Sequence, residues 1–115
     1  MGDGVTVEHQ EMAAGRWQAL PLVEQMAHIG GEVERALNWR VKDRADYSQK
    51  AFERALELLD LSLDSAEDFP RLKELARVRE ALVDYFFDAN QYGSSDKLLR
   101  DYFLHYAVAV RQRSQ

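Results

Sequence analysis

The stretch PLVEQMAHIGGEVERALNWRV, residues 21–41, places Leu22, Met26, Ile29, Val33, Ala36 and Leu37 at steps of three and four. That spacing lays one apolar stripe along an α-helix, because side chains three or four positions apart share a face. Pro21 suits the start of such a helix, where the missing N–H has no partner to lose. Gly30 and Gly31 interrupt it at a cost of about 1 kcal/mol each relative to alanine. Two glycines in that place point either to the close approach of a neighbouring helix or to a bend. The polar triplet Lys42-Asp43-Arg44 then reads as a turn.

Three more segments repeat the period. The second helix is expected from Asp46, whose carboxylate is placed to cap the first turn. Its stripe is Tyr47, Ala51, Ala55, Leu58, Leu59 and Ser62, flanked by Phe52, Leu56 and Leu63. Residues 64–69 form a connection, and Pro70 opens a third helix with Leu72, Leu75, Ala76, Arg79, Leu82, Val83 and Phe86 at helical spacing. That helix is expected to stop near Asn90, before Gly93. Ser94 or Ser95 caps a fourth, with Asp96 at its positive end. Leu98, Leu99, Tyr102, Phe103, Tyr106, Ala107 and Val110 make its apolar side.

Connections this short make successive helices antiparallel neighbours. The expected fold is therefore all-α, a four-helix up-down antiparallel bundle, with an open three-plus-one arrangement as the alternative. Residues 1–18 contain Gly2, Gly4 and Gly15, show no clean period, and read as a flexible or loosely docked N-terminal arm. Residues 19–115 are then a single bundle domain.

Composition narrows the function classes. A chain of 115 residues suits one domain. The absence of cysteine excludes a disulfide framework, a thiolate nucleophile and a cysteine-based zinc site. A net charge of −5, from 20 acidic and 15 basic residues, argues against a domain built wholly for phosphate backbones. No apolar run is long enough to cross a bilayer. The first fifteen residues lack the basic-then-apolar order of a signal peptide, so a cytoplasmic protein without a membrane partner is expected. No phosphate-gripping glycine loop and no nucleophile elbow occurs, and no cofactor is expected.

Four constellations carry possible chemistry. Glu24, His28 and Glu32 share one helical face and have ligand types for a divalent ion. The repeated Glu-x-x-His pair of di-iron bundles is missing, and ion pairing on the surface explains the trio without a metal. His9 lies in the arm. Glu53, Glu57, Asp60 and Asp64 form an acidic stripe that suits a solvated outer face, or magnesium beside a pyrophosphate. The run Arg100-Asp101-Tyr102-Phe103-Leu104-His105 offers an arginine to stabilise phosphate charge and a histidine to move a proton. Five residues on an ideal helix turn the chain by about 140° from the starting face, so Arg100 and His105 converge only through a bulge or a second subunit. Finally, Tyr85, Phe86, Phe87, Tyr92, Tyr102, Phe103 and Tyr106 crowd the last two helices. Part of that set packs the core, leaving Tyr85, Phe87, Tyr92, Tyr102 and Tyr106 as candidates for an interface or pocket.

The segments WQALPLVEQMAHIGGEVERALNW (17–39), AFERALELLDL (51–61) and RLKELARVREALVDYFFDANQY (71–92) resemble a family of short prokaryotic helical proteins with no assigned activity. That resemblance implies a compact cytoplasmic bundle and no mechanism. More distantly, Asp46-Tyr47 followed by Ala51-Phe52-Glu53-Arg54-Ala55 resembles the first helical pair of the HEPN superfamily. Its members include ribonucleases and nucleotidyltransferase partners, often dimeric, in toxin–antitoxin modules. The resemblance implies that Arg100, Asp101 and His105 stand where that superfamily carries its arginine–histidine motif, and that RNA is then the substrate. The expectation from the whole sequence is a non-catalytic module that associates with itself or with a protein partner, with the HEPN-type ribonuclease or nucleotidyltransferase partner as the alternative.

Overall fold

A computed structural model describes residues 14–113. Among the described residues there are five helices and no strand: α1 (residues 14–18), α2 (Leu22–Val41), α3 (Ala45–Asp64), α4 (Phe69–Phe87) and α5 (Asp96–Arg113). The all-α class read from the periodicity is what forms, with one more helix than expected. The extra one is α1, which falls in the segment assigned to a loose arm. Trp17 anchors it, with its ring 9% exposed among core residues. The remainder of the arm, including His9, lies outside the described residues.

The helix ends follow local chemistry. Asp68 caps α4 by accepting a hydrogen bond from the Arg71 N–H at 2.8 Å, and Pro70 sits in the first turn, where its missing N–H costs nothing. Ser95 rather than Ser94 caps α5, its Oγ accepting from the Leu98 N–H at 3.1 Å. Asp46 does not occupy the cap of α3. That position belongs to Arg44, which makes no side-chain cap, and Asp46 lies inside the first turn. There the Tyr47 N–H holds its carboxyl below the ordinary range, as expected of an anion at a helix start. Helix α4 stops at Phe87, short of Asn90, where Asp88 turns to extended backbone (φ −110°, ψ −159°), and Asn90 and Gly93 adopt positive φ (56° and 67°) in the loop that follows.

Side-chain pairs give the direction of each packing. Ser48 Oγ donates to the Ala36 carbonyl at 2.8 Å and Ser62 Oγ donates to Gln25 Oε1 at 2.8 Å, so α3 runs opposite to α2. Arg100 meets Glu34 while Phe103 meets Gly30, so α5 also runs opposite to α2. Helix α4 joins through Phe86 stacked on Phe52 at 4.3 Å and through Arg79 bonded to Asp60 at 2.7 Å. Thus the arginine on the apolar side of α4 ends as an ion pair to α3 at the rim of the core.

The core centres on α2, which contributes Met26, Ile29, Val33, Ala36 and Leu37. On α3 the buried positions are Ser48, Ala51, Phe52, Ala55, Leu59 and Ser62. Tyr47, expected on that stripe, is 40% exposed, while Phe52, expected on its flank, is 1% exposed. On α4 and α5, Leu72 and Leu98 likewise point outward, and the core takes Leu75, Val78, Leu82, Leu99 and Phe103. None of the described helices is long and apolar enough to cross a membrane.

Of the two readings of the glycine pair, close approach holds at Gly30. Helix α2 continues through both. A Cβ on Gly30 would lie 2.6 Å from Phe103 Cβ, whereas one on Gly31 would meet nothing within 4 Å. Gly30 therefore permits the contact of α2 with α5, and Gly31 leaves that contact open to solvent.

Candidate functional site

A largely apolar surface groove of about 420 Å³ runs between α2 and α5. The buried Gly30 and Phe103, in close approach, line it together with Ala27 and Gly31 from α2 and Leu104 and Ala107 from α5. Its polar end is built by Arg100, whose Nε donates to both Glu34 oxygens at 3.0 and 3.1 Å while Nη2 donates to Asn38 Oδ1 at 3.0 Å. Leu104 and Val108 stand one turn apart on α5 and are 53% and 39% exposed. An open apolar groove beside protruding leucine and valine side chains is chemically a surface for another apolar surface.

Of the sequence candidates, Arg100 and Asp101 both line this groove. Asp101 accepts from Lys97 Nζ at 2.6 Å. His105 is not among the groove residues. It is exposed, with its ring edge-on to Tyr106 at 5.7 Å, and α5 is continuous from Arg100 to His105. The bulge that would bring the two together in one chain is absent, so a single chain does not unite them. Glu24, His28 and Glu32 are not gathered either: Glu32 pairs with Arg35, and the His28 ring lies 5.9 Å from Trp17. Among the described residues no group of three or more His, Asp or Glu side chains is arranged to hold a metal ion. The acidic stripe is solvated, with Asp60 tied to Arg79 and Glu53 accepting from Gln49.

The aromatic candidates divide. Tyr102 is half-buried between α4 and α5, its hydroxyl donating to Glu74 and lying 3.4 Å from that of Tyr106. Tyr85 donates to Asp96 across the α4–α5 junction. Phe87 and Tyr92 are exposed at 55% and 62%, with Phe87 edge-on to Phe52 and Tyr92 donating to Glu80 at 3.1 Å. The loop between α4 and α5 is clamped by buried Asp84, whose carboxylate accepts from the N–H groups of Gln91 at 2.8 Å and Tyr92 at 3.0 Å. Hydrophobic patterning could not single out Asp84, because it sits on a core face where a charge is expensive unless hydrogen-bonded. Leu104 and Val108 were equally hidden, since a period alone does not say which apolar residues find a partner.

Burial first, and then the bond to Glu74, push the Tyr102 phenol far above its ordinary range. Burial and Asp96 raise Tyr85, and the Glu80 carboxylate raises Tyr92. In the unfolded chain these phenols ionise at about pH 10. Above that pH the native state binds more protons than the unfolded one, so stability falls as pH rises, while below it the contribution is fully present. Tyr102→Phe is expected to cost about 0.5–1.5 kcal/mol at neutral pH and to flatten the alkaline decline. Thermal melts between about pH 8 and 11 measure both, and an unchanged alkaline slope would remove Tyr102 from the account.

Compared with known proteins, this chain has no match among family models, curated proteins or solved structures. The geometry alone carries the functional reading.

Proposed function

We propose that this chain is a non-catalytic association module, in which the four long helices form an up-down antiparallel bundle and the α2–α5 face binds a second copy of the chain. The observation that carries the reading is the apolar groove over Gly30 and Phe103, flanked by Leu104 and Val108. A two-fold pair would use the same face on both subunits, as most small homo-oligomers do. Burying the protruding leucine and valine of each copy then removes apolar surface that water now covers, which stabilises association by about 25 cal/mol per Å². Light scattering after size exclusion tests the proposal. A dimer is expected at micromolar concentration, and the double variant L104E/V108E should be monomeric with its helix content intact. A wild-type chain that stays monomeric throughout that range would refute it.

The ribonuclease or nucleotidyltransferase-partner alternative draws on the same groove, because Arg100 and Asp101 line it. Its ribonuclease form requires His105 from the second subunit, so that form predicts RNA cleavage that is lost both in R100A and in the monomeric double variant.

A further inference from the structure

The cations of this acidic chain are unevenly placed. Residues 35–54 hold six cations, Arg35, Arg40, Lys42, Arg44, Lys50 and Arg54, against three acids, Asp43, Asp46 and Glu53, although the whole chain carries −5. Elsewhere most described basic side chains are neutralised by carboxylates, as in Arg71–Asp68, Arg77–Glu74, Arg79–Asp60, Lys97–Asp101 and Arg100–Glu34. Here Arg40, Lys42, Lys50 and Arg54 have no carboxylate partner among the described residues. Two of them face rings instead, Arg40 at 5.2 Å from Tyr85 and Lys42 beside Trp39, while Lys50 and Arg54 are exposed. Trp39 and Tyr47 lie with ring centroids 4.9 Å apart, Lys42 stands 5.3 Å from the Trp39 ring, and Arg44, which also pairs with Asp46 at 3.6 Å, stands 4.3 Å from the Tyr47 ring.

Trp39 and Tyr47 also line a separate groove of about 290 Å³ together with Lys50, Arg54 and the Arg35–Glu32 pair. That volume is at the small end of ligand pockets, roughly 300–1,000 Å³. The half-buried Trp39 and the exposed Tyr47 are not part of the core, which Phe52 and Leu59 fill without them. Rings beside unneutralised cations match one ligand chemistry, a planar base joined to phosphate: the ring stacks on the aromatics and the cations take the negative charge.

We infer that the Trp39–Tyr47 groove binds single-stranded nucleic acid, with a base stacked on the aromatic pair and neighbouring phosphates held by Lys50 and Arg54. The inference goes beyond self-association and uses different residues. It also refines the charge argument, since a chain of net charge −5 lines this groove with Arg35, Lys50 and Arg54 against Glu32 alone.

The test titrates the full chain with labelled twelve-nucleotide adenine strands of RNA and DNA, and with adenosine monophosphate, reading anisotropy and tryptophan emission. Trp17 is buried and bonded to Ser62, so quenching reports Trp39. Strands are expected to bind at low salt with a dissociation constant of about 1–100 μM, and affinity should fall with salt at a slope of about −0.7 per phosphate held. Trp39→Leu and the surface variant K50E/R54E should each weaken strand binding about tenfold, the loss of one stacked base being of that size. K50E/R54E keeps the test independent of any folding defect in Trp39→Leu. R111E/R113E changes the net charge equally at the far end of α5 and should leave affinity within about twofold. No binding at low salt, an equal loss in R111E/R113E, or monophosphate binding as tight as strand binding would each overturn the inference.

Discussion

Gly30→Ala should destabilise the protein while Gly31→Ala, one residue later, should stabilise it. At both positions alanine is the better helix former by about 1 kcal/mol. At Gly31 nothing opposes that gain, because an added methyl meets no atom within 4 Å, and the melting temperature should rise by about 4 °C. At Gly30 the methyl would lie 2.6 Å from Phe103 Cβ and 3.0 Å from its Cγ and Cδ1. These atoms belong to a buried ring root, not to a flexible tip, so α5 must move away from α2. Overpacking of this kind costs about 1–3 kcal/mol and opposes the propensity gain. Phe103→Ala should rescue little of it, because alanine retains the nearest offending atom. Thermal melts of the two single variants measure the difference, and the same sign in both would show that α2 and α5 are not held at this distance.

Trp17→Ala should cost about 3–5 kcal/mol, the range for removing a large buried aromatic, and should release α1. The ring lies against the core and its Nε1 donates to Ser62 Oγ at 3.0 Å. Ser62 in turn donates to Gln25 Oε1 at 2.8 Å, and Gln25 Nε2 donates to the Trp17 and Leu20 carbonyls at 3.0 and 3.3 Å. The three side chains satisfy one another, and among the described residues no buried side-chain nitrogen or oxygen lacks a partner. Removing the central hydroxyl is therefore costly for its size. Ser62→Ala strands one donor and one acceptor, at about 1–3 kcal/mol each. Trp17→Phe leaves the Ser62–Gln25 bond in place and should cost less than Ser62→Ala, although it removes more atoms. Denaturant unfolding of both variants decides the order, and the reverse order would mean that ring volume outweighs the hydrogen bonds.

Both predictions rest on features that local patterning could only partly show. The spacing of Leu22, Met26, Ile29, Val33 and Leu37 identified α2 because burial on one face demands it. The glycine pair was visible as an anomaly, but the choice between a bend and a close approach needed the position of Phe103. Trp17 stands in the segment that reads as an arm, because residues 1–18 show no clean period. Its anchor, Ser62, is 45 positions away and polar. Tyr47 and Phe52 stand five positions apart, about 140° round the helix, and the packing of Phe86 and Phe87 from α4 on Phe52 selects the Phe52 side for the core. The Arg100–His105 motif was legible as letters, together with the doubt that a straight helix would separate them.

What the order of residues determined is the set of elements. Periods of 3.6, proline and capping residues at the starts, and positive-φ residues after the ends act within a few positions, so they can be read from neighbours alone. What only the tertiary structure decided is which surfaces remain uncovered: the groove beside Leu104 and Val108, and the unneutralised cations around Trp39 and Tyr47. Exposure and charge pairing depend on residues tens of positions apart, such as Glu34 with Arg100 and Asp60 with Arg79. No local pattern contains that information, because it arises only when the helices meet.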